Sequence, residues 1–109
     1  MTDSLWIPVG PLDAIPMDEI VPFAAGDQAW VLIRTLEGLA VFIDVCSHQD
    51  VKLSDFGEIQ KGVLICHAHG AAFRCDTGEE LCFPATAPLF KAPFKIEEGL
   101  VSIRRPDAI

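Results

Sequence analysis

Short runs of apolar and β-branched residues, separated by turn-forming residues, extend along the whole chain of 109 residues. The clearest pair runs from Ala29 to Arg34 and from Leu39 to Val45, with Gly38 in the turn between them. These runs have the length of strands rather than of helices, and no segment has sustained helical periodicity. We therefore predict an all-β domain whose antiparallel sheets form a small sandwich or barrel.

Further strand pairs are predicted on both sides of this one. Hairpins are expected around residues 57–65, 72–83 and 94–104, and Ser54–Gly57 is expected to be a turn. In the proline-rich first part of the chain, Trp6-Ile7 and Ile20-Val21 are predicted to be edge strands, because proline cannot donate a hydrogen bond to a central ladder. A chain of this length supports one hydrophobic core region and hence one domain.

Composition and charge restrict the possible partners. Hydrophobic residues make up 50% and charged residues 22% of the chain, which is an ordinary globular balance. The net charge of −8 argues against nucleic acid and anionic membranes as partners, and favours a protein with a basic patch. Because the sequence has no signal peptide and no apolar run of about 20 residues, we expect a cytoplasmic protein with reduced thiols.

The candidate chemistry lies in two short loops. Cys46-x-His48 is followed by 17 residues and then by Cys66-x-x-His69, with Gly70 directly after it. All three histidines of the chain lie in this region. Two thiolates and two imidazoles suit either zinc or an iron–sulfur cluster. Structural zinc modules usually open with a pair of cysteines rather than with Cys-x-His, but the ligand types alone leave both possibilities open.

In order and spacing, these four residues and Gly70 resemble the signature of the Rieske family, in which two histidines replace two cysteines on one iron of a [2Fe–2S] cluster. The resemblance to small bacterial Rieske ferredoxins extends over nearly the whole chain, including the Asp76-Thr77-Gly78 turn and the Pro84–Pro88 loop. It implies one Rieske domain over residues 1–109, with a cluster-binding hairpin subdomain at one tip, at about residues 45–88.

The resemblance also implies the role of each motif residue. Cys46 and Cys66 would bind the inner iron, and His48 and His69 would bind the outer iron, nearer to solvent. Electrons would enter and leave through the exposed imidazole edges. The Pro84–Pro88 loop would cover the third side of the cluster.

The sequence departs from the Rieske proteins of respiratory complexes at four positions. A disulfide that braces the two ligand loops in those proteins is absent, because Val51 and Ala68 stand at its positions. A serine and a tyrosine that donate hydrogen bonds to the cluster are replaced by Ala71 and Phe73. Since fewer donors destabilise the more negative reduced state, we predict a potential at the low end of the Rieske range, near roughly −150 mV.

Three residues near the motif lie outside the four-ligand signature. His67 replaces a proline that is common in the family, and we expect an exposed loop histidine, with docking or proton uptake as the alternative. Cys75 and Cys82 are predicted to lie diagonally on one face of their hairpin, about 7–8 Å apart. That separation exceeds disulfide reach, so we expect two buried thiols, with a disulfide or a ligand role as the alternative.

The resemblance implies an electron carrier rather than an enzyme. Oxygen activation in the superfamily requires a separate mononuclear iron with two further histidines, and the three histidines here all lie in the motif region. We expect a ferredoxin component that functions as a monomer. It would take single electrons from a flavin-containing, NAD(P)H-dependent reductase and pass them to a terminal oxygenase of the aromatic-ring-hydroxylating dioxygenase type.

Three other functions remain open on the sequence alone. Two belong to redox systems: the ferredoxin of a diiron monooxygenase, and the small subunit of a nitrite reductase. The third is a zinc-stabilised interaction module with no redox role. Iron and acid-labile sulfide in a red-brown protein would exclude the zinc module.

Overall fold

The computed structural model describes residues 6–25, 28–46, 52–68, 70–82 and 87–104. Within these ranges the chain forms three antiparallel sheets joined by short connections, and the predicted all-β fold is confirmed. The strands are β1 Ile7–Pro11, β2 Ile20–Ala25, β3 Gln28–Thr35, β4 Gly38–Ile43, β5 Gly57–Gln60, β6 Val63–Cys66, β7 Ala71–Arg74, β8 Glu80–Cys82, β9 Phe94–Glu97 and β10 Leu100–Ile103. One α-helical turn, α1, covers Leu53–Phe56, and a 3₁₀ turn covers Leu12–Ala14.

The three sheets divide the molecule into a body and a hairpin region. One body sheet has the strand order β1-β10-β9, the other has the order β2-β3-β4, and the hairpin sheet has the order β5-β6-β7-β8. Both predicted proline-containing strands lie at sheet edges, as expected. Pro8 and Pro11 are in β1, and Pro22 is in β2.

Strands β3 and β4 are largely buried on both faces, which explains their continuous apolar runs. Val31 and Ile33 belong to a core shared with the hairpin sheet, which we call the hairpin core. Trp30 and Leu32 point to the opposite face and belong to a core shared with β10, which we call the body core. The β2-β3-β4 sheet, which we call the middle sheet, thus connects the hairpin region to the rest of the domain.

Local detail differs from the predicted pattern at two places. β4 ends at Ile43 rather than at Val45, and the predicted turn at Ser54–Gly57 is instead the helical turn α1. The helix forms although Lys52, at its N-cap, provides no side-chain cap. A distant side chain, that of Asp44, accepts the hydrogen bond of the Ser54 N–H at 2.9 Å. Capping from ten residues away is not visible in a local sequence window.

The β7–β8 hairpin also has a different register from the predicted one. Ala72 is opposite Cys82, whereas the next residue, Phe73, is opposite Glu80. This irregularity places Cys82 opposite a residue three positions before Cys75, so the predicted diagonal relation of the two cysteines is wrong. Extra residues in one strand of a hairpin shift the pairing in this way.

Candidate metal centre

Cys46 follows the end of β4 and is almost completely buried. Only 3% of its surface is exposed, and its thiol is free. The two residues that lead to it are fixed by backbone hydrogen bonds: Asp44 N–H donates to Ala29 O at 3.1 Å, and Val45 N–H donates to Ile43 O at 2.7 Å. The last strand residues therefore set the direction in which the chain enters the first ligand loop.

Cys66 is the last residue of β6 and has 1% of its surface exposed. It lies between two neighbouring strands, opposite Gly57 of β5 and Ala71 of β7. The second ligand loop begins here and is closed by a hydrogen bond from Gly70 N–H to Cys66 O at 2.8 Å. Gly70 has φ +80°, a conformation that L side chains rarely adopt, which explains why glycine follows the motif.

Both cysteines belong to the hairpin core, so the fold places one cysteine of each loop in the same core. His48 and His69, the two predicted imidazole ligands, lie outside the described residues, as do Val51 and Pro84–Thr86. The thiol pair is suited to iron, because sulfur is the soft ligand that iron–sulfur clusters require. The described part of the site therefore fits a [2Fe–2S] cluster, which can accept or donate one electron.

Ala71 and Phe73, which stand at the positions of the missing hydroxyl donors, lie in the same core as the two cysteines. Ala71 and Phe73 are both fully buried in the hairpin core together with Cys46 and Cys66. Ala68, at one position of the missing disulfide, packs against the same core. Apolar side chains occupy these positions, and none of them can donate a hydrogen bond.

His67 is exposed, as predicted, but it has a partner that the sequence did not indicate. Its Nε2 lies 2.6 Å from Glu58 Oε1, across the β5–β6 pair. The hydrogen bond to His67, followed by one from Gln60, lowers the pKa of the Glu58 carboxyl below its ordinary value. The backbone N–H of His67 donates to Phe56 O at 2.7 Å, which ties the second loop to the end of α1.

A second contact that the sequence did not indicate lies beside the first loop. Asp44 is 6% exposed, and both of its carboxylate oxygens accept hydrogen bonds from Ser54. Ser54 N–H donates to Oδ1 at 2.9 Å, and Ser54 Oγ–H donates to Oδ2 at 2.6 Å. The aspartate is two residues before Cys46, and the serine is in α1, so the contact spans the first ligand loop.

Cys75 is a third buried thiol in the hairpin core. It is free, which confirms the predicted buried thiol and leaves no disulfide at this residue. Burial, and secondarily the carboxylates of Asp18 and Asp76, raise the pKa of the Cys75 thiol to about 11. A thiol with so high a pKa is protonated at neutral pH and is a poor nucleophile.

Comparison with known proteins agrees with this site. The model of the Rieske [2Fe-2S] domain family matches residues 5–94. The anthranilate 1,2-dioxygenase ferredoxin subunit of Burkholderia cepacia is 31% identical over 98 residues, covering 90% of each chain. The 3-phenylpropionate/cinnamic acid dioxygenase ferredoxin subunit of Escherichia coli K12 is 37% identical over 65 residues, covering 60% of this chain and 61% of the relative.

A solved structure shares the fold over a similar extent. It is a complex of reduced oxygenase and oxidised ferredoxin in carbazole 1,9a-dioxygenase, of which one chain is 26% identical and superimposes with a TM-score of 0.80. The match covers 92% of this chain and 93% of that one. Among the helices of the described ranges, none is long and apolar enough to cross a bilayer. Motif, fold and relatives agree that this chain belongs to the Rieske [2Fe–2S] domain family and has one cluster of that type as its cofactor.

Proposed function

We propose that this chain is the ferredoxin component of a multicomponent aromatic-ring dioxygenase. It carries single electrons to a terminal oxygenase and is not catalytic alone. The observation that carries the proposal is the 31% identity to a dioxygenase ferredoxin subunit over 90% of both chains. A match along nearly all of a carrier protein supports a carrier role more strongly than a match to an isolated motif would.

The relatives favour this function over the others that the sequence left open. Both curated relatives are named as ferredoxin subunits of dioxygenases that act on aromatic compounds. This supports a dioxygenase partner over a diiron monooxygenase or a nitrite reductase. The Rieske family match also argues against the zinc module.

We assign the four cluster ligands as Cys46 and Cys66 on the inner iron and His48 and His69 on the outer iron. The buried positions of Cys46 and Cys66 in one core support the inner-iron half of this assignment. With two thiolate ligands the oxidised cluster is formally neutral, and reduction adds one negative charge. The apolar positions at Ala71 and Phe73 support a potential near roughly −150 mV.

The partners follow from the proposed role. The structural neighbour contains an oxygenase together with its ferredoxin, which supports a terminal oxygenase as the electron acceptor. A flavin-containing, NAD(P)H-dependent reductase is the proposed donor, and the protein is proposed to be a cytoplasmic monomer. Both partners would bind transiently, because a carrier must release each of them in every cycle, and a small interface is expected.

Four measurements test the proposal. The purified protein should be red-brown, with iron and acid-labile sulfide in equal amounts, and redox titration should give a value near the low end of the Rieske range. Turnover of an aromatic-ring dioxygenase with its reductase should depend on the added protein. Cys46→Ser and Cys66→Ser should each lose the cluster, and Cys75→Ser is the matched control that should keep it. A colourless wild-type protein that binds zinc would overturn the proposal.

A further inference from the structure

We infer that Asp44 and Ser54 form a side-chain clamp that fixes the chain where it enters and where it leaves the first ligand loop. The clamp consists of the two hydrogen bonds between the Asp44 carboxylate and the N–H and Oγ–H of Ser54, at 2.9 Å and 2.6 Å. The inference rests on the proposed assignment of Cys46 as an iron ligand. Asp44 is then a positioning residue, because it acts through the loop rather than by contact with iron.

The first argument is that both ends of the clamp are fixed to other elements. The Asp44 N–H donates to Ala29 O of β3, so the aspartate is attached to the middle sheet. Ser54 is next to Leu53, whose side chain is fully buried in the hairpin core. A bond between two fixed points restricts the chain between them, whereas a bond between two mobile side chains would not.

The second argument is that the clamp connects the two ligand loops through α1. Directly after α1 comes Gly57, which is opposite Cys66 in the β5–β6 pair. Gly57 packs so tightly on α1 that an added Cβ would lie 2.6 Å from Leu53 O. The described contacts therefore link Asp44 to Ser54, its neighbour Leu53 to Gly57, and Gly57 to Cys66.

The third argument concerns charge. Both oxygens of the Asp44 carboxylate accept hydrogen bonds from Ser54, as an anion does, and this residue is 6% exposed and two positions along the chain from Cys46. Reduction of the cluster adds negative charge, which a nearby buried carboxylate disfavours. The clamp therefore contributes to the low potential as well as to the position of the loop.

The test uses four variants of the complete holoprotein. Asp44→Ala removes both hydrogen bonds and should cause a severalfold loss of iron and acid-labile sulfide per chain. Asp44→Asn keeps the size and an acceptor oxygen but removes the charge, so it should keep the cluster and shift its potential to a more positive value. Ser54→Ala keeps the charge but removes one donor, so it should release the cluster faster than wild type. Ser54→Thr keeps the hydroxyl and should behave like wild type.

Glu97→Gln is the control for charge alone. Glu97 lies on β9 of the other body sheet, with 71% of its side chain exposed, so its neutralisation should leave the potential unchanged. A full cluster content in Asp44→Ala would overturn the clamp, and equal potentials in Asp44→Asn and Glu97→Gln would overturn its proposed effect on the potential. If Asp44→Ala does not fold, the rate of cluster release in Ser54→Ala tests the clamp, and the potential of Asp44→Asn tests the effect of its charge. Retention of the cluster by Cys46→Ser would instead contradict the ligand assignment, which separates the two failures.

Discussion

The two ligand loops of this domain are held by different kinds of interaction. The first loop is spanned by side-chain hydrogen bonds between Asp44 and Ser54. The second is closed by a backbone hydrogen bond from Gly70 N–H to Cys66 O, and a further backbone bond, from His67 N–H to Phe56 O, ties it to the end of α1. A hairpin between adjacent strands closes its own loop, whereas a segment that connects two sheets needs a contact from outside. Among the described contacts, the one that spans the first loop therefore depends on individual side chains, and those of the second loop depend on backbone conformation.

The largest effect is expected at Gly57, where the supports of the two loops meet. In Gly57→Ala the new Cβ would lie 2.6 Å from both Leu53 O and Ile20 Cδ1. The isoleucine side chain can move, but the backbone oxygen cannot move without displacing α1. We expect a loss of about 3 kcal/mol in the free energy of unfolding, together with weaker cluster binding.

Chemical denaturation followed by circular dichroism and by cluster absorbance would measure both effects. Gly62→Ala is the matched control, because Gly62 has φ +80° but no atom within 4 Å of the added Cβ. The control should lose stability without early loss of the cluster. If Gly57→Ala and Gly62→Ala lost the cluster at the same denaturant concentration, Gly57 would not be the point at which the supports of the two loops meet.

Cys75, the third buried thiol, lies outside both ligand loops, and its raised pKa predicts a pH-dependent contribution to stability. The pKa of Cys75 is raised from its ordinary value of 9.0 to about 11, so the folded state holds this proton more tightly than the unfolded state does. The resulting stabilisation is complete below pH 9 and is lost as the pH rises through 11. The difference in pKa corresponds to at most ~2.7 kcal/mol.

Cys75→Ala should therefore show a smaller decrease in stability than wild type between pH 9 and 11, with the cluster spectrum unchanged at neutral pH. Comparing how steeply the free energy of unfolding falls with pH in the two proteins removes the contribution of every titrating group that they share. Parallel slopes would show that Cys75 is not held as a buried neutral thiol.

The second loop can be tested through its glycine. Gly70 has φ +80°, and an added Cβ would meet no atom within 4 Å, so Gly70→Ala introduces backbone strain without a clash. The expected cost is about 1–2 kcal/mol. Gly70→Asn should cost less, because asparagine tolerates this conformation better than alanine does. Thermal unfolding would rank the three proteins, and an asparagine variant less stable than the alanine variant would argue against a purely conformational cost.

The comparison of the loops also shows what could be predicted from the sequence. The strands, the edge positions of Pro8 and Pro22, and the glycine after the motif follow from local rules, because each depends on a few neighbouring residues. The family signature predicts Cys46 and Cys66 as ligands for the same reason, and both lie in the hairpin core. The Asp44–Ser54 contact joins residues ten positions apart, and no periodicity or turn rule indicates it. Side-chain contacts across elements appear only once the register is known.

The β7–β8 hairpin illustrates the same limit. A symmetric turn around Thr77-Gly78 predicts one register, but the observed pairing shifts between Ala72 and Phe73. The composition of the turn does not indicate on which strand extra residues will be placed. The fold was therefore predictable at the level of strands, and the relation of Cys75 to Cys82 was not.

The smallest effect is expected at His67, which lies in the second loop but does not close it with its side chain. Its imidazole is 54% exposed and contacts only Glu58 among the side chains for which a polar contact is described. His67→Pro should leave the visible spectrum intact, because neither the motif residues nor Gly70 change. The substitution does remove the N–H that donates to Phe56 O, so a modest loss of thermal stability is expected.

His67→Ala is the matched control, since it keeps that N–H and removes only the imidazole. Loss of the cluster in both variants would mean that the imidazole itself supports the site, whereas loss in the proline variant alone would assign that support to the backbone hydrogen bond.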